Sequence, residues 1–185
     1  MNNKPAKGKL LIAEPFMADE NFKRTVILLC AHNKKEGSFG FVLNKEIPHQ
    51  LGDAIPEFDS FDAKLYYGGP VEPNTLHYLH SYGDLLPNSV KLTEDLYWGG
   101  DFDILYSLIN TKQIDNDKIR FFVGYSGWDA GQLEDEMKTN SWIVADCMAE
   151  YIFTDKPDVV WRKVLSDMGG DYKIMSNFPE NPLLN

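Results

Sequence analysis

Hydrophobic positions along the chain fall into two kinds of run. Val26-Ile27-Leu28-Leu29-Cys30-Ala31 and Ile119 to Tyr125 are apolar on both alternating faces, the pattern of central strands covered on both sides. Gly8 to Ala13 reads as a shorter strand. Polar His32 to Ser38 separates the first run from Phe39-Gly40-Phe41-Val42-Leu43, which predicts a hairpin and antiparallel pairing. Leu65-Tyr66-Tyr67, Leu76 to Tyr82, Leu96-Tyr97-Trp98, Trp142 to Ala145 and Tyr151-Ile152-Phe153 read as further extended segments. Ile47 to Phe61, punctuated by Pro48, Gly52 and Pro56, reads as irregular.

Three segments carry helical periodicity. Asp101 is placed to cap a helix with Phe102, Leu105, Leu108 and Ile109 on one side. Asp129 as cap with Gln132 at the third helical position predicts a second helix over Ala130 to Lys138. A third opens near Pro157-Asp158, buries Val160, Trp161, Val164, Leu165 and Met168, and stops at Gly169-Gly170. Strand runs with interspersed helices and a hairpin predict an α+β fold, with one domain over residues 8–168 and loose termini at 1–7 and 171–185.

Composition narrows the function. The 185 residues carry 18 Lys and Arg against 28 Asp and Glu, a net charge of -10, so direct binding to DNA is not expected. No apolar run approaches the roughly 18 residues of a membrane span, and the short run after Lys9 does not make a signal peptide. Cys30 and Cys147 sit in apolar runs without metal-site spacing, which fits a reducing cytoplasm and buried thiols. His77 and His80, three apart in an extended segment, point to opposite faces, so no metal site is expected, and no cofactor.

The most chemical-looking feature is Gly124-Tyr125-Ser126-Gly127-Trp128, a strand entering a helix as in the nucleophile elbow of hydrolases. Trp128 stands where the elbow needs its last glycine, and a triad would need His80 or His32 with a carboxylate such as Asp19. A serine hydroxyl capping the next helix is the plainer reading, and a serine-dependent hydrolase using Ser126 the alternative. A binding reading gathers Asn44, the Gly68-Gly69 corner, Ser126, Gly127, Trp128 and Gln132 into one cleft, where free amides at a helix start face a small anionic ligand. Trp128 and Tyr67 would wall that cleft, while Asp19 with Arg24, as a charged pair, and His80 are further contributors.

Together, Gly8 with Leu10-Leu11-Ile12-Ala13, Pro15, Asp19, Phe22, Arg24, His32, Gly37, Gly40, Asn44, Gly68-Gly69-Pro70-Val71, His80, Gly124 to Trp128, Gly131-Gln132-Leu133-Glu134 and Trp142 resemble the AlgH/YqgE family of bacterial proteins. The resemblance runs from Gly8 to about Leu165. It implies a single α+β domain whose bifurcated, mostly antiparallel sheet folds into a barrel-like body with about three outer helices. It implies no agreed reaction. The family's usual label, transcriptional regulator, rests on a regulatory association, and this chain shows no DNA-reading helix, so a protein partner or a small ligand is the expected contact.

Overall fold

The computed structural model describes residues 4–180. Ten strands form one sheet: β1 (Lys9–Ala13), β2 (Val26–Asn33), β3 (Gly37–Val42), β4 (Glu46–Gln50), β5 (Lys64–Tyr67), β6 (Val71–His80), β7 (Val90–Lys91), β8 (Tyr97–Trp98), β9 (Ile119–Trp128) and β10 (Trp142–Asp146). Around them lie α1 (Leu51–Ala54), α2 (Phe102–Asn110), α3 (Gln132–Lys138), α4 (Ala149–Ile152), α5 (Val160–Met168) and α6 (Gly170–Met175). Only α2, α3 and α5 reach seven residues among the described ones.

The main path runs β10-β1-β2-β3-β9-β6-β8-β7, every neighbour antiparallel. At β9 the sheet forks. One edge of β9 pairs with β6, while the other is shared between β3, opposite Ser126 to Trp128, and β5, which runs parallel opposite Phe121 to Val123. Strand β4 then extends the β5 branch. The bifurcation implied by the family resemblance is therefore present, whereas the pairing path ends at β10 and β7 without closing a hydrogen-bonded ring.

Two-faced burial follows from this layout. Val26, Leu28 and Cys30 of β2 face one apolar cluster with Phe41, Phe122 and the α5 residues Val160, Trp161, Val164 and Leu165. Ile27 and Leu29 face another, with Val42, Trp128, Leu133 and Trp142. On the β5 branch, α2 covers Leu65, Phe58 and Phe121 with Leu105, Leu108 and Ile109. Asp101 caps α2 as its position predicts, accepting from the Ile104 amide at 3.0 Å.

Several expectations are corrected. Tyr151 and Ile152 belong to α4, not to a strand; both are buried in the cluster under α5, so packing overrides their β preference. Residues 46–58 hold β4, α1 and a short 3-10 turn, because the pairing of Glu46 and Gln50 with β5 supplies order that local periodicity lacks. The segment after Gly169 is not loose as far as it is described: α6 follows at once, and Tyr172 and Met175 pack on the main cluster. The expected looseness of 1–3 and 181–185 lies outside the described residues. Phe102 is exposed, leaving Leu105, Leu108 and Ile109 as the buried stripe of α2. Helix α3 starts at Gln132 after Gly131, whose φ of +80° suits glycine, so Asp129 is not its cap.

Candidate functional site

Ser126 sits inside β9, fully buried, and its Oγ donates to the Gly68 carbonyl at 3.0 Å. The strand continues through Trp128, so Ser126 is neither on an elbow nor a helix cap. No imidazole meets it: His32 Nδ1 lies 2.8 Å from Ser38 Oγ and its Nε2 3.6 Å from Glu134 Oε1, and His80 bonds elsewhere. A fluorophosphonate probe is expected to leave Ser126 unlabelled. Ser126→Ala should cost only about 1 kcal/mol in denaturant unfolding, because the Gly68 carbonyl keeps the Val42 amide as partner.

The Gly68-Gly69 corner is likewise filled. A Cβ on either glycine would strike the backbone of Gly124 or Tyr125, so these glycines bring two chain segments together and leave no room for a ligand. Asn44 acts as a substitute strand partner, accepting from the Val26 amide at 2.8 Å and donating to the Arg24 carbonyl at 2.9 Å. Asp19 accepts from the Asn21 amide, while Arg24 donates to the Phe178 carbonyl at 2.7 Å and lies 4.4 Å from the centre of the Trp161 ring; the two form no ion pair.

Trp128 and Gln132 belong to a different local network. Glu136 accepts from the indoles of Trp128 and Trp142 at 2.8 and 2.6 Å and from the Gln132 amide at 2.9 Å, tying α3 to the sheet. Gln132 borders a shallow surface recess that does not include Asn44, and Asn44 and Tyr67 border another that does not include Gln132. Thus the structure joins Gly68 to Ser126 but does not assemble the expected common cleft.

His80 is a buried latch. Its Nδ1 accepts from the Tyr82 amide at 3.2 Å, so Nε2 carries the proton and donates to the Gly99 carbonyl at 2.9 Å. Burial lowers its pKa from the ordinary 6.5, outweighing the Gly99 bond, which raises it. Because the folded value is depressed, the contribution to stability is present above pH 6.5 and is lost as pH falls through the folded pKa. Urea unfolding across pH 7 to 5 should show that loss, and His80→Gln should reduce it. An unchanged slope would contradict the latch.

The site that sequence reading missed surrounds Arg120. It interrupts the apolar run Ile119-Arg120-Phe121-Phe122, and that lone cation was the available signal. Strand β9 carries it into the interior, where the residue is 7% exposed. Its Nη2 donates to the Thr154 carbonyl at 2.6 Å, its Nη1 reaches the Leu43 carbonyl at 3.5 Å, and the guanidinium lies 4.1 Å from the centre of the Tyr66 ring. Among the described residues no carboxylate is within ion-pair distance of it. Burial lowers its pKa, with Tyr66, Glu46 and Asp155 opposing the shift, yet a guanidinium stays protonated.

Arg120 lines a pocket of about 200 Å³. Buried Ala63, Tyr66 and Ile119 form its inner wall with Arg120; exposed Asp62, Asn116, Asp117 and Asp155 form its rim. Lys64, also on the rim, is held by Glu46 at 3.0 Å. Elsewhere, burial raises the thiol pKa of Cys30 and pushes that of Cys147 up to about 12, so neither supplies a thiolate at neutral pH.

A forked, mostly antiparallel sheet with helices outside, and one small pocket carrying a buried cation, define a single-domain α+β protein. The AlgH-like family model matches residues 10–173, and the chain belongs to that family. A UPF0301 protein of Chlorobium limicola is 46% identical over 178 residues, covering 96% of this chain and 95% of the relative. One from Cytophaga hutchinsonii is 46% identical over 180 residues, covering 97% and 98%. Among solved structures, a crystal structure of a Corynebacterium diphtheriae protein superposes with a TM-score of 0.78 at 25% identity, over 96% of this chain and 95% of that one. The solution structure of the AlgH protein from Pseudomonas aeruginosa gives 0.72 at 27% identity, over 97% and 98%. No described helix is long and apolar enough to cross a membrane.

Proposed function

We propose that the protein is a non-catalytic binding protein whose Arg120 pocket takes a small anionic ligand. The observation that carries this reading is an arginine 7% exposed, without a carboxylate partner among the described residues, lining a pocket of about 200 Å³. A buried charge is costly unless it is paired, and planar N–H donors in a drier environment favour a carboxylate or phosphate. A regulatory role would act through this ligand or through a protein contact rather than through duplex DNA, given the charge of -10. The test is a titration with acetate and with inorganic phosphate, followed by amide chemical shifts. Saturable shifts centred on Tyr66, Asn116, Arg120 and Thr154 are expected. Shifts confined to other surfaces, or none, would contradict the proposal.

A further inference from the structure

The charges around the pocket weaken its hold on a simple anion without removing it. Asp62, Asp117 and Asp155 stand on the rim, exposed, and none of them is in an ion pair among the described residues. Lys64, the other cation lining the pocket, is already neutralised by Glu46. An anion approaching Arg120 therefore passes three carboxylates that repel it before it meets the one cation that attracts it. A ligand carrying an ammonium group beside its carboxylate turns that repulsion into attraction.

We infer that the ligand of the Arg120 pocket is a small zwitterion, of which an α-amino acid is the simplest form. Its carboxylate lies on the Arg120 guanidinium and its ammonium faces the rim carboxylates, with Asp155 the principal partner. The inference rests on the anion-binding reading of Arg120 and adds the second charge. Asp155 is the natural choice because it adjoins Thr154, whose carbonyl holds the guanidinium, and because it lines the same pocket as Arg120 without an ion pair among the described residues. A divalent metal ion is a poorer occupant, since no three His, Cys, Asp or Glu side chains among the described residues converge to ligate one. Size points the same way: about 200 Å³ is less than the roughly 300–1,000 Å³ of pockets for drug-sized ligands, and it suits a molecule of a few heavy atoms.

The test compares alanine with propionate, which lacks its ammonium, and ethylamine, which lacks its carboxylate, by amide-shift titration of the full chain in low-salt buffer. Alanine is expected to bind at least tenfold more tightly than either partner compound, and Asp155→Asn should bring the alanine-to-propionate ratio toward one. Exposed Asp155 makes that variant unlike a core change, and its spectrum checks the fold. Equal affinity for alanine and propionate would overturn the zwitterion while leaving the anion site standing. Ethylamine binding as tightly as alanine would overturn it in favour of a cation site. Failure of both alanine and propionate to bind would overturn the zwitterion and the anion reading together.

Discussion

Alanine at position 68 is expected to destabilise the fold by at least about 3 kcal/mol, or to prevent the protein from accumulating in folded form. The reason lies at the fork of the sheet. Gly68 donates to the Val123 carbonyl at 2.9 Å and accepts from the Val42 amide at 2.9 Å and from the Ser126 hydroxyl at 3.0 Å, so it binds both branches to β9. A Cβ there would run into the Gly124 carbonyl and press on the Phe41 ring. The obstructing atom is backbone and cannot rotate away. Moving it would disturb Gly124, whose own φ of +67° and approach to the Gly69 carbonyl leave little freedom. Gly127→Ala is the control: its Cβ would meet the Tyr125 ring at 3.4 Å, an ordinary contact, and the loss should stay below about 1 kcal/mol. Urea unfolding of the two variants measures the difference, and equal small losses would contradict this account of the fork.

Trp161→Ala should cost about 3–5 kcal/mol, the range for emptying a large aromatic site in a core. The indole is 2% exposed and packs among residues of β1, β2, α4 and α5. Its Nε1 donates to the Ala13 carbonyl at 2.9 Å, and its ring carries the Arg24 guanidinium. Truncation therefore opens a cavity, strands a buried carbonyl and removes the aromatic support beneath an arginine whose buried Nε has no hydrogen-bond partner among the described residues. Trp161→Phe fills most of the space but lacks the indole N–H, and should cost roughly half as much. Circular dichroism during urea unfolding separates these values. Equal losses for Ala and Phe would mean that the hydrogen bond, rather than volume, dominates.

What could be read in the sequence follows the range of the interactions concerned. The double-faced runs at Val26 and Ile119 reveal central strands because burial on both sides leaves a mark on every residue. The Asp101 cap is legible because donor and acceptor lie three residues apart. The α4 turn is not, since Tyr151 and Ile152 owe their state to α5 and distant strands. Ser126 misleads for a related reason: the glycines beside it suggest an exposed corner, whereas Gly124 packs against the backbone of Gly69 and Val71 and Ser126 bonds the Gly68 carbonyl, 58 residues away in the chain. Arg120 is visible as a lone charge, but its meaning depends on Leu43, Tyr66 and Thr154, which only the folded sheet brings together. The Glu136 bonds to Trp128 and Trp142 are hidden in the same way, one indole coming from each side of α3.

The central claim is that Arg120 holds an anion, and Arg120→Met tests it most directly, because methionine keeps much of the length and apolar bulk while removing the charge. With the variant shown to be folded by its amide spectrum, propionate is titrated into both proteins under the same low-salt conditions. The account predicts saturable shifts at Tyr66, Asn116 and Thr154 in the native chain and at least a tenfold loss of affinity in the variant, as expected for removing a charge-assisted hydrogen-bond donor. Equal affinity in the two proteins would contradict it.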